Sequence, residues 1–195
     1  KGYEWAIEAL RARDATSGSQ PESPKNPNGM ALPKYTVCSL DVRLRGMQLH
    51  ELPTRELADW VQQIVDVESP IHIDEICWRI AEAVGVARVG NRIRTSITRA
   101  CALTVMERNV TQKGDFYWKD HGAAPEPRDR SDLPLRSRRL ELVADEEIAA
   151  VIARVAERSC GVNKDEIPPA ACSLLGFGRC SADMKARVDA VLATE

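Results

Sequence analysis

What this sequence has little of narrows its function first. Aromatic residues make up 5% of its 195 positions, and its three histidines, His50, His72 and His121, are dispersed. They supply no dense set of nitrogen ligands for a metal. The six cysteines, Cys38, Cys77, Cys101, Cys160, Cys172 and Cys180, include no C-x-x-C pair and no zinc-ribbon spacing. They read as reduced thiols, with Cys77 and Cys101 sitting among apolar helical positions as small buried hydrophobes. No apolar run approaches the roughly 20 residues that span a bilayer, and no signal-peptide pattern opens the chain. The expectation is a cytoplasmic protein with no membrane partner. A Gly-rich phosphate loop ending in Lys-Ser or Lys-Thr is missing, so ATP hydrolysis is expected to lie elsewhere. Neither a cofactor nor a small-molecule substrate is indicated.

What is present is 44% hydrophobic and 29% charged residues, enough apolar content for one good core or two small ones. The first residue is Lys rather than Met, which reads as a fragment of a longer protein. Residues 3–13 could form a short helix. The following "DATSGSQPESPKNPNGMALP" has almost nothing to bury and reads as a linker, so residues 1–34 are taken as the tail of a preceding domain plus a disordered linker. Residues 35–53 read as an extended arm or strand.

From Thr54 the pattern turns helical. Leu57, Trp60, Val61, Ile64 and Val67 recur at spacings of three and four behind Pro53 and a Thr54 cap. A second helix is predicted over Ile73–Val84, with Ile76, Ile80, Ala83 and Val84 on one face, ending at Gly85. A third, about Gly90–Glu107, places Ile93, Ile97, Cys101 and Val105 inward and Arg92, Thr95, Ser96 and Arg99 on the opposite stripe. "VTQKGDFYW" then reads as two short strands joined at Lys113, Gly114 and Asp115. This order is that of a winged helix-turn-helix, with "GVAR" as the short turn.

A shift of 91 residues lays Glu56 on Glu147, Asp74 on Asp165, Glu75 on Glu166, Ile76 on Ile167, Gly85 on Gly176 and Arg88 on Arg179 without a gap. The expected fold is therefore mainly α with a small β hairpin (α+β), built as two tandem winged-helix-like repeats: residues 54–120, then 144–195 without a visible wing. A Pro- and charge-rich connector, 121–143, joins them; its "RSRRLELV" end is expected to add a short strand, and Asn163-x-x-Glu166 a capping box.

"LHELPTRELADWVQQIVDVESPIHIDEICWRIAEAVGVARVGNRIRTSITRA" followed by "GDFYW" resembles the uncharacterised domain at the C-terminus of very large bacterial helicase-like proteins, over roughly residues 48–195. "PIHIDE" and "GNRIR" are the most specific parts. In that family the domain follows superfamily 1 helicase motor motifs and often a restriction-endonuclease-like module. The resemblance implies a helicase-associated role, with the motor domains of the parent chain as partners, and supplies no catalytic residues.

The residues themselves give little sign of chemistry. "GFGR" at Gly176–Arg179 imitates the start of a dinucleotide fingerprint, but the third Gly is missing and the repeat makes it an inter-helix turn. Asp74-Glu75 and Asp165-Glu166 fit helix starts, where negative charge offsets the dipole, better than acid–base work. The chain reads as non-enzymatic.

Charge is unevenly distributed although the net charge is -2. In residues 54–82 two basic side chains face seven acidic ones; in residues 88–119 seven basic ones (Arg88, Arg92, Arg94, Arg99, Arg108, Lys113, Lys119) face Glu107 and Asp115. A solvated helix face is the plain explanation. Placement on the third helix and the hairpin, the elements a winged helix presents to DNA, favours nucleic-acid binding. The expected interface is Arg92, Thr95, Ser96 and Arg99 along the groove, with Arg88 and Lys113 on phosphates. Phe116 and Trp118 are expected in the core, with Trp60 and Trp78. The second repeat offers Arg179, Lys185 and Arg187 against Asp183 and Asp189, which suits packing or protein docking better. The alternative for the whole chain is a protein–protein docking or oligomerisation module of the same helicase-like protein.

Overall fold

A computed structural model describes residues 31–107, 110–119, 124–158 and 163–193. The helix expected at residues 3–13, most of the linker, Arg108, His121 and Cys160 lie outside the described residues. The chain is mainly helical with one small antiparallel sheet, an α+β protein, and divides into two compact units: residues 36–123, and residues 1–35 together with 124–195.

In the central unit, helix α1 (Thr54–Glu68) buries Leu57, Ala58, Trp60, Val61, Ile64 and Val65 at three-and-four spacing, whereas Val67, expected on the same face, is exposed. Pro53, rather than Thr54, occupies the N-cap position and no side chain caps the helix. Proline's fixed φ suits an entry where its missing N–H costs nothing. Strand β1 (Ile71–His72) leads into α2 (Ile73–Ala83), whose first turn is capped by His72 Nδ1 accepting from the Asp74 amide at 3.1 Å. Helix α3 (Asn91–Glu107) buries Ile97, Ala100, Cys101 and Thr104 and packs chiefly on α1. Strands β2 (Thr111–Lys113) and β3 (Phe116–Trp118) form a hairpin through Gly114, whose φ of 57° a side chain would resist. β3 also pairs with β1, giving the order β1-β3-β2.

That third strand escaped the sequence reading, because two residues carry no period. It also alters the aromatic assignment. As the central strand, β3 buries Tyr117 and Trp118, whereas Phe116 is half-buried and meets the His72 ring edge-on at 5.1 Å. Trp60 is buried and Trp78 half-buried. The arm preceding α1 forms no strand over residues 36–47; it is held by the Cys38 amide donating to Glu68 Oε1 at 2.9 Å, turns at Arg45–Gly46 and ends in a 3-10 turn at Leu49–Glu51.

In the other unit, α4 (Asp145–Arg158), a 3-10 turn (Lys164–Glu166) running into α5 (Ile167–Leu174), and α6 (Ala182–Ala193) begin 91 residues after α1, α2 and α3. Ile148, Val151, Ile152, Val155, Ile167, Ala171, Leu175, Phe177 and Val188 form its core. The Asn163 side chain accepts from the Asp165 amide at 3.4 Å and opens the 3-10 turn. Among its described residues there is no strand, only a parallel bridge between Lys34 and Asp129.

The inter-helix turns match in detail. After α2, the amides of Gly85 and Val86 donate back to the carbonyls of Glu82 (3.0 Å) and Ala81 (2.8 Å); after α5, those of Gly176 and Phe177 donate to Ser173 (3.1 Å) and Cys172 (2.9 Å). Both are Schellman caps, with the glycine at φ 71° and 84°. "GFGR" is thus a helix C-cap.

Residues read as linker and connector pack into this unit. Leu32 is 6% exposed in its core, and the amides of Tyr35 and Asp129 donate to the carbonyls of Asp129 (2.9 Å) and Pro33 (2.8 Å). The strand expected in "RSRRLELV" is replaced by 3-10 turns at Leu135–Ser137 and Leu140–Leu142, which let Leu140, Leu142 and Val143 all turn inward.

Candidate nucleic-acid interface

Helix α3 is amphipathic about the line the sequence indicated. Ile97 and Cys101 are buried, Ile93 and Val105 are half-buried, and Arg92, Thr95 and Arg99 are exposed. Their spacing of three and four residues sets them along one face, Arg92 to Arg99 spanning roughly 10 Å at 1.5 Å per residue. Ala102 and Met106 continue that face, Met106 being 82% exposed. Ser96 stands at its edge: it is half-buried, and its hydroxyl donates to the His50 carbonyl at 3.2 Å, fixing the 3-10 turn of the arm against α3. Arg88 is exposed in the link before α3, and Lys113 is exposed at the end of β2.

The cations of the central unit divide by partner. Arg55 reaches Glu107 at 2.8 Å and Lys119 reaches Asp66 at 3.6 Å. Arg94 is bound to Asp74 at the start of α2, a hydrogen bond that raises its pKa further above the ordinary guanidinium value. Arg79 is buried, its Nε 3.1 Å from Glu68 and its Nη2 2.8 Å from Glu75. Glu68 and Glu75, two of the seven acidic residues in the charge balance of residues 54–82, are both buried. By contrast Arg88, Arg92 and Arg99 have no ion pair among the described residues. The same holds of Arg43 and Arg45, exposed on the arm, where the sequence reading placed no function. An irregular segment has no period to show which way its cations point.

Buried thiols in this unit are inert. Burial pushes Cys77 up to about 11 and Cys101 up to about 12, and Tyr117 is raised by burial with Cys101 as its neighbour. Among the described residues no group of three His, Cys, Asp or Glu could hold a metal, and no helix is long and apolar enough to cross a membrane.

In the other unit the cations of α6 are engaged. Arg187 donates to the carbonyls of Leu140 (2.6 Å) and Val143 (2.8 Å) and to Asp145 (3.0 Å), and Lys185 pairs with Asp165 at 3.1 Å. Arg179 is exposed. The helix equivalent to α3 therefore has its basic side chains turned to its own unit.

A family model described as a protein of unknown function (DUF3320) matches residues 47–95, which take in the end of the arm, α1, β1, α2 and the start of α3. No curated protein and no solved structure matches the chain.

Proposed function

We propose that this chain is a non-catalytic accessory module of a larger helicase-like protein, and that its central unit is a winged helix whose α3 and β2–β3 hairpin bind DNA to position the motor or nuclease. The observation that carries this reading is the division of the cations: Arg55, Arg79, Arg94 and Lys119 are neutralised by carboxylates, while Arg92 and Arg99 lie on one exposed face of α3 with Arg88 just before it. A helix in the major groove presents such a face, and a hairpin carrying Lys113 reaches the flanking backbone. The resemblance to helicase-associated domains supplies the larger context.

Met106, exposed at the far end of the same face, favours a second reading in which this surface docks onto the motor domains or another protein chain. Titrating labelled duplex, forked and single-stranded DNA at two salt concentrations separates the two. The expected result is salt-sensitive binding, weakened by Arg92→Ala with Arg99→Ala. Salt-insensitive or absent binding, with the parent motor still retained in pull-downs, would favour docking.

A further inference from the structure

The turn that joins α5 to α6 carries two thiols in contact. Cys172 lies on α5 and Cys180 immediately before α6, and the Cys172 S–H donates to Cys180 Sγ at 3.4 Å. A disulfide needs an S–S length of about 2.05 Å. The sulfurs are thus roughly 1.4 Å from bonding distance. The two members differ in access: Cys172 is buried, and Cys180 is half-exposed. No ligand set surrounds them that would recruit them to a metal among the described residues.

We propose that Cys172 and Cys180 form a reversible intramolecular disulfide by exchange with a small disulfide of the glutathione class, fastening the segment that enters α6 to α5. The exposed Cys180 reacts first. Its thiolate attacks one sulfur of the small disulfide, forms a mixed disulfide and expels one small thiolate. Cys172 then loses its proton to solvent and attacks the Cys180 sulfur, forming the Cys172–Cys180 bond and expelling the second small thiolate. Two protein thiols are oxidised and one small disulfide is reduced to two thiols. Burial, and next the neighbouring Cys180, push the Cys172 thiol up to about 12, which makes it the second nucleophile and not the first.

The structural consequence falls on the start of α6. That end is held by the Ser181 hydroxyl accepting from the Met184 amide at 3.2 Å, whereas the middle of the helix is tied by Arg187 and Val188. A bond between Cys172 and Cys180 adds a covalent tie at that end, beside the capping hydrogen bond and the Lys185–Asp165 pair.

The test uses the full chain incubated with excess oxidised glutathione, alkylated and mapped by mass spectrometry. The expected result is joint loss of alkylation at Cys172 and Cys180, a peptide linked through both, and full recovery with dithiothreitol. In Cys172→Ser, Cys180 should instead retain glutathione; in Cys180→Ser, Cys172 should stay a free thiol. Stable glutathionylation of wild-type Cys180 with Cys172 still alkylatable would overturn the proposal. So would a bond from Cys180 to another cysteine, or two thiols left unmodified. The wild-type map decides even if a variant fails to fold.

Discussion

Arg130 clasps Glu147 with two hydrogen bonds of 2.7 Å, Nη1 to Oε1 and Nη2 to Oε2, both side chains being buried. Arg128 adds a contact of 3.1 Å, and the Tyr35 ring lies 4.5 Å from the Arg128 guanidinium and 5.0 Å from that of Arg130. Two residues of the connector, a residue of α4 and the end of the N-terminal segment thus meet at one buried charge. Removing one partner of such a pair leaves the other uncompensated. Glu147→Gln should cost the C-terminal unit about 3 to 5 kcal/mol, measured by urea unfolding followed by hydrogen exchange in α4.

The same cluster sets an acid limit. Burial alone would raise the Glu147 carboxyl, but the charges and hydrogen bonds of Arg130 and Arg128 outweigh it and hold it at about 2, below its ordinary 4.5. A folded-state pKa lowered in this way contributes stability that is complete above about pH 4.5 and is lost as pH falls toward 2. At about 1.4 kcal/mol per unit the loss is on the order of 3 kcal/mol. Unfolding midpoints should fall across that window in the wild type and less steeply in Glu147→Gln; equal slopes would refute the assignment.

Leu32 belongs, in sequence, to a stretch with almost nothing to bury, yet it lies in the core with Leu140, Val143 and Ile148. Leu32→Ala should destabilise that unit by about 2 to 4 kcal/mol and leave hydrogen exchange in α1 and α3 unchanged.

Gly85 and Gly176 share the cap and the positive φ but not the surroundings. A Cβ at Gly85 meets nothing within 4 Å, whereas one at Gly176 would collide with the Asp129 carboxylate and the Ser131 backbone. Gly85→Ala should cost only the conformational term, about 1 to 2 kcal/mol. Gly176→Ala should cost more, because the connector must also move. Thermal unfolding of the two variants compares them directly.

For the proposed DNA interface, Arg92→Ala and Arg99→Ala together should lower the slope of log affinity against log salt by about 2 if each contacts one phosphate. Arg94→Ala should change the slope little, because Asp74 already holds that side chain. Fluorescence anisotropy across a salt series reads both outcomes.

Much of the secondary structure was legible from period alone. The central helices were expected from Thr54, over Ile73–Val84 and over Gly90–Glu107, and they run Thr54–Glu68, Ile73–Ala83 and Asn91–Glu107. Their buried faces recur every three to four residues, and glycine marks the stop between the second and third. The hairpin turn was legible because Gly114 tolerates a φ that other residues avoid. Of the candidate site, Arg92, Thr95 and Arg99 could be set on one face from spacing, whereas Ser96 could not be known to serve the His50 carbonyl.

The sequence by itself determined the helices, the 91-residue correspondence of their starts and the stripe of cations on α3, because each is a local or periodic property of the chain. Only the tertiary structure decided which charges are neutralised, that Glu68, Glu75, Arg79 and Glu147 are buried, that β1 completes a sheet, and that Leu32 packs against residues more than a hundred positions away. Those outcomes depend on which segments meet across long loops, and a side chain's charge carries no record of the partner that folding brings to it.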